Sequence, residues 1–222
     1  MFAFDAGEIL LIDKPHGWSS FDVVRHMKRF LGGAKVGHAG TLDPLATGLM
    51  LLCTGKWTRH LGQMGEYDKR YRGTLRLGLT TPCYDLERPP DAYYPTDHIR
   101  PEDVYAVAQQ LTGNQMQVPP VFSAIKVDGK RSYKAARQGT ADALPPRSVT
   151  IYDLKVLAIE LPDVHFEVHC SKGTYIRSLA HDCGRLLHSG AVLTSLRRTS
   201  IGAYRVEHAM EPNYISALIE ST

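Results

Sequence analysis

The stretch Gly37-His38-Ala39-Gly40-Thr41-Leu42-Asp43-Pro44-Leu45-Ala46-Thr47-Gly48 gathers three glycines and one proline around a single acid, Asp43. Pro44 biases the residue before it away from the helical region, so Asp43 presents its carboxylate from a stiff, extended segment. Constrained irregular loops often position functional groups. The same residues also suit a structural loop in which Asp43 only bonds nearby backbone amides, and residue types alone leave both readings open. Metal and disulfide chemistry find little support elsewhere. Cys53, Cys83, Cys170 and Cys183 form no C-x-x-C pair and read as buried thiols. His165 and His169 share one face of a strand without a third ligand.

Charge is segregated along the chain. The net charge is only +3, but Lys56, Arg59, Lys69, Arg70, Arg72 and Arg76 stand against Glu66 and Asp68. Lys126, Lys130, Arg131, Lys134 and Arg137 stand against Asp128 alone, and Lys172, Arg177, Arg185, Arg197 and Arg198 against Asp182. The acids Asp85, Glu87, Asp91, Asp97, Glu102 and Asp103 gather elsewhere. This pattern fits a surface facing a polyanion, and it equally fits a solvated, salt-bridged surface.

Several elements must position these groups. Glu8 to Ile12 reads as a short buried strand stopped at Lys14-Pro15. Ser19-Ser20 cap a helix with Phe21, Val24 and Leu31 at helical spacing, ended by Gly32-Gly33. Lys35 to Gly48 reads as a loop, and Leu49 to Cys53 as an apolar strand. Lys69 to Leu79 alternates, with Tyr71, Leu75, Leu77 and Leu79 on one face and Arg70, Arg72 and Arg76 on the other. Thr80 to Thr96 is a proline-rich loop, and Pro101 to Leu111 a helix with acids in its first turn. Val118 to Gly129 looks extended, with a tight turn at Asp128-Gly129, and Ser132 to Gln138 is a short helix. Ser148 to Leu161 and Val164 to Cys170 are strands, Thr174 to His188 a helix, and Ala191 to Val206 largely extended. Hairpins mixed with helices, without regular βαβ alternation, predict an α+β domain around a mainly antiparallel or mixed sheet. With 222 residues and 43% hydrophobic content, one domain is the expectation. No apolar run reaches the roughly 20 residues of a membrane span, and Met1 to Glu8 does not read as a signal peptide, so a cytoplasmic location is the default.

The Gly37–Gly48 stretch closely resembles the catalytic motif of TruB-family pseudouridine synthases, G-H-x-G-T-L-D-P-x-A-T-G. Other family motifs follow in order. Asp13-Lys14-Pro15-His16-Gly17-Trp18-Ser19-Ser20 resembles D-K-P-x-G-x-[ST]-S, and Lys69-Arg70-Tyr71 the K-x-Y strand. Pro119 to Lys126 is similar to P-P-x-[YF]-S-A-x-K, and Cys170 to Leu179 is nearly C-S-x-G-T-Y-I-R-[ST]-L. Leu196-Arg197-Arg198-Thr199 matches the last motif, so the likeness runs from Ile9 to about His208.

The resemblance implies the pseudouridine-synthase catalytic fold, a bent mixed sheet with flanking helices and a central active cleft. It implies Asp43 as the nucleophile toward a flipped uridine, at the ribose or at the base. Tyr71 would stack on the target base and serve as a base, with core packing as the alternative. Arg177 would pair with Asp43 through its planar fork, with a phosphate contact as the alternative. His38 would help displace the target base, or else only hydrogen-bond the turn. Lys14, Pro15 and Tyr175 would shape the binding site, Leu196 would line the pocket, and Lys126, Lys130 and Arg131 would contact the RNA backbone. The implied activity is isomerisation of the T-loop uridine of tRNA, position 55, without cofactor or metal, by a monomer. The rival readings are an RNA-binding protein with secondary activity, and the same chemistry on another RNA. Two departures stand out. Thr80-Thr81-Pro82-Cys83-Tyr84-Asp85 replaces a T-D-T-x-D-like stretch, which is expected to alter a loop rather than the chemistry. After about residue 208 too few residues follow for the PUA-like domain that bacterial relatives commonly add, so a single catalytic domain over 1–222 is expected.

Overall fold

Ser19 starts the first helix through a reciprocal cap. Its hydroxyl accepts from the Asp22 amide while the Asp22 carboxylate accepts from the Ser19 amide, satisfying two donors that a helix start would leave orphaned. The computed structural model describes residues 3–221 except Ala124, Asp128, Gly129, Gly139 and Ala141. In chain order the elements are β1 (Ile9–Lys14), α1 (Ser20–Met27), β2 (Val36–Ala39), β3 (Thr47–Thr54), α2 (Leu61–Gly65), β4 (Lys69–Leu77), β5 (Leu79–Thr80) and β6 (Ala92–Tyr93). There follow α3 (Pro101–Gln110), β7 (Gly113–Gln117), β8 (Lys126–Val127), β9 (Lys130–Arg131), α4 (Ser132–Arg137), β10 (Arg147–Glu160), β11 (Asp163–Cys170), α5 (Ile176–Leu186), β12 (Ala191–Ile201), β13 (Tyr204–Arg205) and α6 (Pro212–Glu220). This is the expected α+β class with mixed strand pairing.

The chain forms two compact units. The first comprises residues 1–72 and 196–222, the second 73–195. In the first, β1 and β3 are antiparallel, β2 lies antiparallel on β3, and β12 joins β3 in parallel through Arg197↔Thr47 and Arg198↔Gly48. β3 is buried along all but its first residue, so it reads as a continuous apolar run rather than an alternating one. Leu49, Leu51, Cys53, Met64, Ile201 and Val206 form the core around it. Each such leucine contributes roughly 1.5–3 kcal/mol by leaving water. The antiparallel β1–β3 register sets Lys14 opposite Gly48, so the two ends of the candidate site meet across one rung.

In the second unit the strand order is β4-β11-β10-β7. Val104 and Ala108 of α3 and Leu179, Ala180 and Cys183 of α5 line an apolar space with Leu75, Val164 and Phe166. The helices are therefore held by their buried stripes. Among the described residues, no helix is long and apolar enough to cross a membrane.

Four details differ from the sequence reading. The segment 35–48, expected as a loop, contributes the strand β2. Four residues carry no periodic signal, and their pairing to the buried β3 decides their conformation. α1 stops at Met27 rather than at Gly32-Gly33, and the intervening residues form turns. β4 ends at Leu77 because Gly78 turns the chain at φ +91°, and Leu79 falls on the separate β5–β6 pair. Gly113 (φ +109°) opens the strand β7, an element the sequence reading does not contain. Alternation along β4 holds, with Tyr71, Leu75 and Leu77 buried and Arg72 and Arg76 exposed. The same alternation buries Lys69, whose ammonium donates to the carbonyls of Gly65 and Tyr67. The turn expected at Asp128-Gly129 lies outside the described residues.

Candidate active site

Asp43 sits in the loop between β2 and β3, half-buried, and the backbone on both sides of it is tied down. Ahead of it, the Ser20 hydroxyl accepts from the Leu42 amide at 2.8 Å and donates to the Leu42 carbonyl at 3.0 Å. Behind it, the Pro44 carbonyl accepts from the Gly17 amide at 2.9 Å and from the Lys14 ammonium at 3.3 Å. The Ala46 amide closes the turn onto the Asp43 carbonyl at 3.1 Å. All these bonds use backbone atoms of the loop, so the backbone on both sides of Asp43 is fixed independently of its carboxylate.

Lys14 ends β1 with its side chain fully buried. Its ammonium also donates to the carbonyls of Pro15 at 3.0 Å and Trp18 at 2.5 Å. Burial is the main cause that drops its pKa to about 8, opposed by the negative charge of Asp43 and reinforced by the positive charge of Arg198. Between about pH 8 and the ordinary lysine value of 10.5, the unfolded chain holds a proton here that the folded chain has released. Stability contributed by this group therefore rises with pH across that window. Lys14→Met is expected to remove that rise, which chemical denaturation of both proteins at pH 7.5 and 10 would reveal.

Arg198 on β12 lies under the same loop, 1% exposed. Its guanidinium donates to the carbonyls of Leu49 at 2.7 Å, Gly40 at 3.2 Å and Thr41 at 3.4 Å. Its backbone passes so close to Gly48 (φ +100°) that a Cβ there would lie 2.3 Å from the Arg198 carbonyl oxygen. Only glycine fits both the conformation and the space. Gly48→Ala is expected to cost at least about 1–3 kcal/mol from backbone strain alone, plus the displacement of β12. A thermal melt against wild type checks it.

His38 is on β2, opposite Leu52. Its Nδ1 is enclosed without a hydrogen-bond partner among the described residues. Burial, with the nearby Arg198 charge, lowers its pKa against a contribution from the Gly40 backbone that raises it, so the ring is neutral at pH 7. Tyr71 on β4 is 8% exposed and Leu196 on β12 is 9% exposed. The Leu196 carbonyl accepts from the Thr47 hydroxyl at 3.5 Å. The first unit thus collects Asp43, Lys14, Pro15, His38, Tyr71 and Leu196.

The second unit carries Arg177 and Tyr175 at the start of α5. Arg177, 4% exposed, donates to the carbonyls of Cys83 at 3.0 Å and Phe122 at 2.9 Å, and its Nε stands 3.7 Å from the carboxylate of Asp85. Asp85 is equally buried and caps its own loop by accepting from the Glu87 amide at 3.0 Å. Sequence reasoning assigned Asp85 only to an acidic surface. The signal that could have found it is the acid that closes the T-T-P-C-Y-D stretch, since the T-D-T-x-D-like pattern of the resemblance also ends on an acid. The unusual Cys83 meets Arg177 through its backbone carbonyl, a contact that does not depend on which side chain stands at 83. Tyr175 caps α5 in extended conformation, with its amide and carbonyl both bonded to the Gln117 carboxamide at 2.8 and 3.1 Å. Arg147 lies over its ring at 5.7 Å. The backbones of Lys126, Lys130 and Arg131 pair as a short hairpin, while their side chains lie outside what the structure describes. Among the described residues, no group of three or more His, Cys, Asp or Glu side chains is arranged to hold a metal ion.

The family profile described as TruB family pseudouridylate synthase (N terminal domain) matches residues 28–176. A protein of Flavobacterium johnsoniae named tRNA pseudouridine synthase B is 48% identical over 92% of this chain and 93% of its own length. One of Phocaeicola vulgatus with the same name is 50% identical, over 93% and 91% respectively. Among solved structures, a chain in a Cbf5-Nop10-Gar1 complex superposes with a TM-score of 0.75 at 28% identity over 98% of this chain. This chain spans 57% of the length of that one.

Proposed function

The chain belongs to the TruB family of pseudouridine synthases, isomerases that convert uridine to pseudouridine, and on that premise we propose that its substrate is tRNA and its target the T-loop uridine, position 55. The observation that carries the reading is the immobilised Asp43 loop. A nucleophile must meet its target atom in near-attack geometry, and backbone bonds on both sides of Asp43 fix the loop that carries it. The names of relatives 48% and 50% identical over nearly the whole chain support tRNA as the substrate.

In the proposed reaction the target uridine is flipped out of its loop, and Asp43 attacks either the ribose C1′ or the uracil ring. The N1–C1′ bond breaks, the uracil turns, a C5–C1′ bond forms, and the bond to Asp43 breaks to return the free carboxylate. C5 loses its proton and N1 ends protonated, so the product is an isomer and no cofactor is needed for balance. Tyr71 stacks on the base and takes a proton, and Arg177 supplies the guanidinium that holds the Asp43 charge. Neutral His38 enters the space the base leaves, and Leu196 lines the pocket. Lys14, Pro15 and Tyr175 shape it. Lys126, Lys130 and Arg131 contact phosphates, which makes binding weaken with salt. The protein works as a monomer, in the cytoplasm. The test is tritium release from unmodified tRNA carrying [5-³H]uridine, followed by mapping of the modified position. Release confined to position 55 is expected, and release at another position or none at all sinks the reading.

A further inference from the structure

Arg198 touches the Asp43 loop at four places, two on each side of its tip. Its guanidinium reaches Gly40 and Thr41 ahead of Asp43 and Leu49 behind it. Its backbone pairs with Gly48, at an approach only glycine allows. A loop whose ends are closed by one residue has little freedom left at the tip, because the span is set by a planar fork of fixed dimensions. All three acceptors are neutral carbonyls. A cation 1% exposed and held this way is a costly choice for plain structural support, since an apolar side chain of equal size fills the same space without desolvating a charge. Arg198 also stands close enough to lower the pKa of both Lys14 and His38, so its field covers the loop and its neighbours.

We propose that Arg198 is a positioning residue for the isomerisation: its fork sets the distance between the two arms of the loop and so the reach of the Asp43 carboxylate. It touches no substrate atom and acts only through Asp43, and the inference therefore rests on Asp43 being the nucleophile. A misplacement on the scale of 1 Å costs about 100-fold in rate. Lysine keeps the charge but offers one ammonium in place of a fork, so it cannot hold both arms at the arginine spacing.

The experiment compares wild type, Arg198→Lys, Arg198→Gln and Asp43→Asn with unmodified tRNA carrying [5-³H]uridine. Single-turnover rates are measured at saturating enzyme and Kd by filter binding. At saturation the rate reports only RNA-bound, folded protein, so partial instability does not enter it. The expected result is a rate lowered at least about tenfold in Arg198→Lys and about 100-fold in Arg198→Gln, with Kd within about threefold of wild type. Wild-type rates in either folded variant overturn the proposal. So does a parallel loss of rate and affinity, or failure of both variants to fold, each of which marks Arg198 as a residue of the scaffold. Turnover by Asp43→Asn removes the nucleophile reading itself. An inactive Asp43→Asn beside a fully active Arg198→Lys removes this inference alone.

Discussion

Asp43→Asn is expected to abolish turnover, by about 10⁴-fold or more, while leaving tRNA binding within about threefold of wild type. The change replaces one carboxylate oxygen and leaves the backbone anchors of the loop in place. The bonds from Ser20, Gly17, Lys14 and Ala46 reach the backbone of Leu42, Asp43 and Pro44, so the loop keeps its shape. The carboxamide lacks the negative charge and nucleophilicity that the reaction draws on. Lys14 provides an internal check. Asp43 is the foremost influence raising its pKa against burial, so in Asp43→Asn the Lys14 ammonium titrates below its wild-type value of about 8. Tritium release with wild type and variant side by side decides the matter. Turnover by the variant at a wild-type-like rate would show that another group is the nucleophile.

Removal of the Asp85 carboxylate is expected to produce the largest loss of stability of any substitution named here. In Asp85→Ala the Arg177 guanidinium, 4% exposed, stays buried without the anion beside it. Breaking a buried pair from one side typically costs about 3–5 kcal/mol, which for a chain of this size lowers Tm by roughly 10 °C. Activity should fall as well, because Arg177 is held by this carboxylate together with the carbonyls of Cys83 and Phe122. The double replacement Asp85→Leu with Arg177→Met removes both buried charges of this pair and should recover most of the lost Tm. It should recover none of the turnover, since the guanidinium is gone. Recovery of both would reduce the pair to a structural contact. Arg177→Ala alone should lower activity more than binding, and equal losses would point to a phosphate contact instead.

The sequence by itself determined whatever depends on local backbone preference or short-range periodicity. The Ser19 cap, the burial of Tyr71 and the exposure of Arg72 and Arg76 all follow from spacings of two to four residues. Pro44 restricts Asp43 through a neighbouring ring, and the ordered motifs single out Asp43, Tyr71 and Arg177 as candidates without any knowledge of contacts. Only the tertiary structure decided what surrounds them. Arg198 meets Leu49, Thr41 and Gly40 across 149, 157 and 158 residues, and Arg177 meets the Cys83 carbonyl across 94. No periodic signal links positions so far apart, and buried arginines and lysines look in a sequence like the exposed basic residues beside them. In the sequence Arg198 and Lys69 resemble surface charge for that reason, and residues 36–39 resemble loop because they take their conformation from the strand they join. Gly48 is the clearest case. Its place in the motif is plain in the sequence, but the need for glycine there arises from a strand that begins more than 140 residues later and passes too close for a Cβ.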